Sequence, residues 1–122
     1  MSEYREVAEF VRAYISSVWM LELLLLLERD PSRAWTAYAL VKELRGSAGL
    51  VDDNLARLQQ VGLVLETDEG WRFHPANPHL ASLVADLSAL YRERPVHVMS
   101  IIARSDAISS LADAFRIRKD GI

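Results

Sequence analysis

The order of local signals between residues 35 and 74 constrains the fold of this chain more than any other feature, because two helical patterns are followed there by two short extended ones. Thr36 is suited to cap a helix over Ala37–Leu44, since its hydroxyl can accept a bond from an unpaired backbone N–H. Gly46, which follows Arg45, tolerates the left-handed conformation in which helices commonly end. The sequence therefore predicts a short helix that stops before Ser47.

A second helix and a hairpin are predicted after that turn. Ser47 is placed to cap the helix, and Gly62 to end it. Its apolar residues follow the spacing of one helical face, which we expect to point into the core: Val51, Leu55, Leu58 and Val61. Strands are predicted over residues 63–66 and 71–74, where aliphatic and aromatic residues replace the helical period. The polar turn Thr67-Asp68-Glu69-Gly70 joins them.

The run from Val18 to Leu27 predicts a central helix, because a helix that is apolar on nearly every side must be covered on nearly every side. Asp30-Pro31 ends it, since proline disfavours helical geometry in the preceding residue. Before the run, Ser2 is a candidate cap for an amphipathic stretch. That stretch either kinks at Ser16-Ser17 or continues through it as one helix.

Further helices are predicted after the hairpin. Asn77-Pro78 has the pattern of a cap followed by proline at the first helical position, where its missing N–H costs nothing. An apolar stripe then runs from Leu80 to Tyr91. A second segment follows Pro95, and Ser105 is a candidate cap for a last helix through Phe115 and Ile117. Three bases near the end suit the end of their own helix, a phosphate or an acidic partner: Arg116, Arg118 and Lys119.

Composition predicts one domain that spans residues 1–122. The chain has 122 residues, of which 51% are hydrophobic and 25% charged, with a formal charge of -3 and no cysteine. Without cysteine there is no disulfide framework and no thiolate metal site, as is typical of a reducing cytoplasm. The amino terminus lacks a secretion pattern. Val18–Leu27 is interrupted by Glu22 and is shorter than the roughly 20 apolar residues of a membrane span, so we expect no membrane segment and a cytoplasmic protein.

The segment Ser47–Leu65 resembles MarR/ArsR-type winged-helix regulators. The resemblance is carried by the capped helix, by Leu55-Ala-Arg-Leu58 and by Val61-Gly-Leu-Val64. It implies a mainly α fold with a small β-hairpin wing, that is, a winged helix-turn-helix over residues 35–74. Extra N-terminal helices occupy residues 1–29, and extra C-terminal helices occupy residues 77–118.

The same resemblance implies a transcriptional regulator that binds duplex DNA as a homodimer. The C-terminal helices are expected to form the dimer, or alternatively to complete the core of one chain. Ser47 is carried over as the cap of the second helix. Arg57 and Gln60 are carried over as groove or phosphate contacts and Arg72 as a wing contact, with Arg45 as a further nearby base.

The charge of residues 35–74 favours a different partner. The segment holds four bases and six acids, a net charge of -2. Asp52 and Asp53 lie on or beside the predicted outer face of the second helix, and Asp68 and Glu69 lie at the predicted wing tip. Affinity for DNA comes largely from neutralised phosphates, which acids oppose. The alternative is therefore a protein-interaction module in which these four acids bind a basic protein surface, without intrinsic DNA binding.

No catalytic residue, cofactor or metal site is predicted. His74, His79 and His97 lack the i,i+4 spacing of a helical zinc pair. The side chains of Asp52 and Asp53 diverge by about 100° on a helix, so they do not form a metal site alone. Nucleophile elbows and phosphate-binding glycine loops are also missing from the sequence. The tryptophans are expected to be core or hairpin anchors, with Trp71 the one to be exposed.

Overall fold

A computed structural model describes residues 4–104, which form six helices and one antiparallel hairpin. The elements are α1 (Tyr4–Tyr14), α2 (Val18–Arg29), α3 (Ala37–Leu44), α4 (Ala48–Val61), β1 (Val64–Thr67), β2 (Gly70–Phe73), α5 (Pro78–Glu93) and α6 (residues 95–104). The prediction of a mainly helical fold with one small hairpin is confirmed. Ser2, the helix predicted from Ser105 to Ile117 and the bases Arg116, Arg118 and Lys119 lie outside the described residues.

Helix α2 is the centre of the core, as its apolar run predicts. It contacts α3, α5 and β2. Its side chains at Leu21, Leu23, Leu24 and Leu27 are fully buried, and Leu25 is 7% exposed. The one charge inside the run, on Glu22, is half-buried. Neighbouring elements cover α2 on most sides, and its apolar composition is explained by this position at the centre of the core.

A sharp corner separates α1 from α2, which resolves the alternative left open at Ser16-Ser17. The two helices meet at 115°, and Ser17 caps α2 by accepting a bond of 3.0 Å from the backbone N–H of Met20. Among residues 4–104, no single helix is long and apolar enough to cross a membrane, and α1 and α2 meet that criterion only when they are added together.

Helix α3 begins as predicted but ends differently. Thr36 Oγ1 accepts a bond of 3.1 Å from the N–H of Ala39. The left-handed residue at its end is Arg45, with φ of 54°, and the expectation that Gly46 takes this conformation is wrong. Gly46 is instead held against the indole of Trp19, where an added Cβ would lie 2.6 Å from Cζ2. The glycine is therefore required for a close approach.

Helix α4 buries the predicted face. Val51, Leu55 and Leu58 are fully buried, whereas Val61 is half-buried and packs against the core. Asn54 lies on the same side and is only 7% exposed, which the pattern did not predict. Its Nδ2 donates to the carbonyl of Leu50 at 2.8 Å, so the buried amide is partly satisfied within its own helix.

The helix then turns into the hairpin at Gly62. This residue has φ of 90°, and its N–H bonds to the carbonyls of Gln59 and Leu58. The strands pair with Val64 opposite Phe73 and Thr67 opposite Gly70, so Asp68 and Glu69 form a two-residue tip. The predicted strands, 63–66 and 71–74, are therefore each displaced by one residue at both ends.

Trp35 adds a further pairing to the hairpin. Its N–H and carbonyl exchange two bonds of 2.7 Å with Trp71 on β2. Trp71 is half-buried and packs against the core, so the expectation that it is exposed is wrong. Because β2 is paired on both sides at this point, the base of the hairpin is anchored to the start of α3.

The C-terminal helices complete the described core. Asn77 caps α5 by accepting a bond of 2.9 Å from the N–H of Leu80, with Pro78 in the first turn, as predicted. Leu83, Val84 and Leu87 of α5 are buried. The buried residues of α6 are Val98, Ile101 and Ile102. Helix α5 also contacts α1 and α2, so it helps to enclose the leucine-rich helix within one chain.

Candidate nucleic-acid interface

The outer face of α4 is open to solvent. Opposite the buried side of the helix, the exposed residues are Gly49, Asp52, Asp53, Ala56 and Gln60. Helix α3 packs on the other side of α4, and the hairpin follows its C-terminal end. The face is therefore a free helical surface between the α3–α4 turn and the hairpin, with two carboxylates along it.

Two of the predicted site residues lie at the α3–α4 turn. Ser47 Oγ accepts a bond of 3.1 Å from the N–H of Leu50, so its side chain caps α4 as predicted. Arg45 is exposed in its left-handed conformation directly before the turn. The cap stabilises the start of α4 by about 1 kcal/mol.

Arg57 lies on the side of α4 that faces the α1–α2 corner. Its Nη1 donates to Ser16 Oγ at 3.5 Å, and the arginine is exposed. A bond of that length is weak, so the guanidinium is available to another acceptor at small cost. Gln60, one turn further along α4, is exposed as well.

Arg72, the predicted wing contact, is only partly accessible to a ligand. It lies on β2 opposite Leu65 and is half-buried. Its Nε is buried and has no hydrogen-bond partner in the described part of the chain. The stem of the side chain is thus covered, and the Nη groups are the part that can reach a ligand.

The tip of the hairpin is acidic and locally ordered. Asp68 and Glu69 are both exposed. Thr67 Oγ1 accepts a bond of 3.2 Å from the N–H of Glu69 and donates one of 2.9 Å to the carbonyl of Gly70. The turn that carries the two carboxylates is therefore stabilised by two hydrogen bonds of the Thr67 hydroxyl.

The predicted bases do not form one patch. Arg45 lies at the α3–α4 turn, Arg57 beside the α1–α2 corner and Arg72 on the hairpin, whereas Asp52 and Asp53 occupy the face of α4 between these regions. The arrangement can neutralise a few separated anionic groups. It also presents four exposed carboxylates, two on α4 and two on the hairpin tip, to a cationic partner.

Several contacts that shape this region were missed from the sequence. Trp19 Nε1 donates to the carbonyl of Leu44 at 3.4 Å, so α2 contacts the end of α3 directly. Arg33 stacks on Trp35, with its guanidinium carbon 3.5 Å from the ring centroid. Tyr38 on α3 is 73% exposed beside Lys42. No local sequence pattern predicts the first two contacts, because the contact of Trp19 joins two separate helices and the contact of Arg33 lies in a loop.

Within residues 4–104, no group of three or more histidine, aspartate or glutamate side chains is placed to hold a metal ion. Comparison of the chain with protein-family models, curated proteins and solved structures returned no match. The function is therefore argued from the geometry of the site.

Proposed function

We propose that the protein is a winged-helix transcriptional regulator that binds duplex DNA as a homodimer, with α4 as the helix that enters the major groove. The supporting observation is the outer face of α4, which is solvent-exposed between a capped turn and a hairpin. A B-form major groove is about 12 Å wide and admits one α-helix. In this proposal β1 and β2 form the wing, and residues 77–118 join the two protomers.

The contacts of the proposed complex follow from the chemistry of the exposed side chains. Gln60 is suited to an adenine edge, and Asp53 is suited to accept from the amino group of cytosine. Arg45 and Arg57 would bind phosphates on either side of α4, and the Nη groups of Arg72 would contact the backbone beneath the wing. Each phosphate contact contributes about 0.9 to the salt slope, so three arginines predict a slope of about 3 for each protomer.

A low-salt selection from sheared genomic duplex DNA tests this proposal, followed by fluorescence anisotropy on a recovered fragment. We expect affinity to fall as salt rises, and Arg57→Ala to reduce the salt slope by about one. Arg5→Ala, which removes an exposed arginine of α1, is the matched control and should leave the slope unchanged. Failure to bind any fragment at low salt would refute DNA binding.

The homodimer has its own test. Sedimentation at micromolar concentration should give a dimer whose mass is twice 13.8 kDa. A clean monomer across that concentration range would remove the dimer from the proposal, and a monomeric DNA-binding module would then predict a single half-site instead of a palindrome.

The exposed carboxylates favour a second candidate, a module that binds a basic protein. Asp52 and Asp53 on α4, with Asp68 and Glu69 on the hairpin tip, are all solvent-exposed. In this candidate, the Asp52→Asn and Asp53→Asn double variant loses a partner captured from cytoplasmic extract. Glu9→Gln with Glu93→Gln removes two exposed acids elsewhere and should retain it. Unchanged capture by the aspartate variant would count against the module.

A further inference from the structure

A cleft lies between α2 and α5, on residues that the proposed DNA-binding surface does not use, although its α5 side lies within the residues 77–118 that the proposed function assigns to the dimer. Its volume is about 450 Å³, within the usual range of small-molecule sites, which is about 300–1,000 Å³. Leu25 and Ala85 supply the apolar part of the lining, Ser88 supplies a half-buried hydroxyl, and four of the eight lining residues carry a charge. The cleft is therefore more polar than the usual ligand pocket, which favours a ligand that carries a charged group.

Glu22 and Tyr91 form the polar end of the cleft. The phenol of Tyr91 donates to Glu22 Oε1 at 2.7 Å. This bond raises the pKa of Tyr91 to about 12, with smaller contributions from burial and from the carboxylate charge. A carboxylate accepts up to about four hydrogen bonds, so the phenol leaves Glu22 with capacity for a second donor.

The burial of the charged side chains in the cleft indicates which charge a ligand should carry. Glu22 and Glu28 are half-buried in the cleft lining, whereas Arg29 and Arg92, which also line the cleft, are exposed. Solvent screens the exposed arginines more strongly than the partly buried carboxylates. The interior of the cleft is therefore the more negative part, although the lining includes bases.

We propose that this cleft binds an organic cation: an amine whose ammonium group donates to Glu22 and whose apolar body lies along Leu25. The hydrogen bond from Tyr91 fixes the carboxylate in place, so the ligand meets an acceptor that is already oriented. Charge-assisted bonds of this kind are stronger than neutral ones. The amine is preferred over a neutral or anionic molecule of the same shape for that reason.

Three probes of one shape test the preference by calorimetry at neutral pH: 2-phenylethylamine, 2-phenylethanol and phenylacetate. The amine should bind about tenfold or more tightly than the alcohol, because the alcohol can donate to Glu22 but brings no positive charge to the carboxylate. Phenylacetate should bind more weakly still. Equal affinities for the three, or no binding of the amine, would overturn the proposal.

Variants test whether Glu22 binds the ligand or only connects α2 and α5 through its hydrogen bond with Tyr91. Glu22→Gln keeps an oxygen for the phenol of Tyr91 and removes the charge, so it should fold and lose about tenfold in amine affinity. Tyr91→Phe removes the bond between the helices but keeps the charge of Glu22, so it should still bind the amine, more weakly than the parent protein and more tightly than Glu22→Gln. Glu66→Gln, an exposed carboxylate of β1, is the matched control and should bind as the parent protein does.

Thermal unfolding of each variant confirms that the comparison is made between folded proteins. If a folded Glu22→Gln variant binds 2-phenylethylamine as tightly as the parent, the assignment of Glu22 is wrong. None of these titrations contains nucleic acid, so their outcome is independent of whether α4 binds DNA.

Discussion

Two glycines three residues apart should respond to alanine in opposite directions. At Gly46 an added Cβ would lie 2.6 Å from Cζ2 and 3.3 Å from Cε2 of Trp19, whose indole is part of the core packing. At Gly49, in the first turn of α4, no atom lies within 4 Å of the added carbon apart from its chain neighbours and the backbone of its own helix. The two variants therefore add the same methyl group, at Gly46 against a neighbouring ring and at Gly49 into open space.

The magnitudes follow from these surroundings. Overpacking against a rigid ring costs typically about 1–3 kcal/mol. Gly46 is not left-handed, so alanine also gains about 0.4–1 kcal/mol by restricting the unfolded chain. Subtracting the middle of this range from the middle of the overpacking range leaves a net loss of about 1.3 kcal/mol. Gly49→Ala gains up to about 1 kcal/mol from helix propensity. At about 4 °C per kcal/mol, Gly46→Ala lowers Tm by about 5 °C and Gly49→Ala raises it by up to about 4 °C.

Urea unfolding followed by circular dichroism measures both free energies, and a double-mutant cycle assigns the cause. Trp19→Phe shortens the ring that meets the new methyl group, so Gly46→Ala should cost at least about 1 kcal/mol less in that background. A neutral Gly46→Ala, or a cost that is unchanged by Trp19→Phe, would refute the packing of α2 against the α3–α4 turn.

Three further outcomes are expected from the same structure. Ser47→Ala should lower the free energy of unfolding by about 1 kcal/mol, because the N–H of Leu50 loses its acceptor, and urea unfolding checks this. Leu58→Ala should cost about 2–5 kcal/mol in the same assay, since Leu58 is fully buried, and a loss under 1 kcal/mol would contradict an inward face. The pKa of Tyr91 is raised from 10.0 to about 12, so its contribution is present below pH 10 and is lost as pH rises towards 12. Unfolding measured across that range should show this loss in the parent and not in Tyr91→Phe.

The helix starts could be predicted from the sequence because capping is local. Thr36, Ser47 and Asn77 each accept a bond from the N–H three residues ahead, as their patterns predicted. The buried face of α4 was predicted for the same reason, since Val51 and Leu55 lie one turn apart on one helix. Signals that act within one or two turns are readable without the rest of the fold.

The predictions that were wrong concern contacts between residues that are far apart in the sequence. Arg45 takes the left-handed position at the end of α3, and the next residue, Gly46, is held against Trp19, which is far away in the chain. Trp71 packs against the core, and its backbone pairs with that of Trp35 on the side of β2 away from β1. In the candidate interface, the exposure of the α4 face followed from periodicity. The contact between Arg57 and Ser16 did not, because the corner that brings Ser16 there is set by tertiary packing.

Amide chemical shifts recorded while duplex DNA is added test the central claim most directly. If α4 enters the major groove, the amides of residues 49–60 and of the hairpin tip at Asp68 and Glu69 should shift together, with α5 little affected. Shifts confined to other helices, or none at a low salt concentration where the protein remains folded, would contradict the assignment of α4 as the DNA-binding helix.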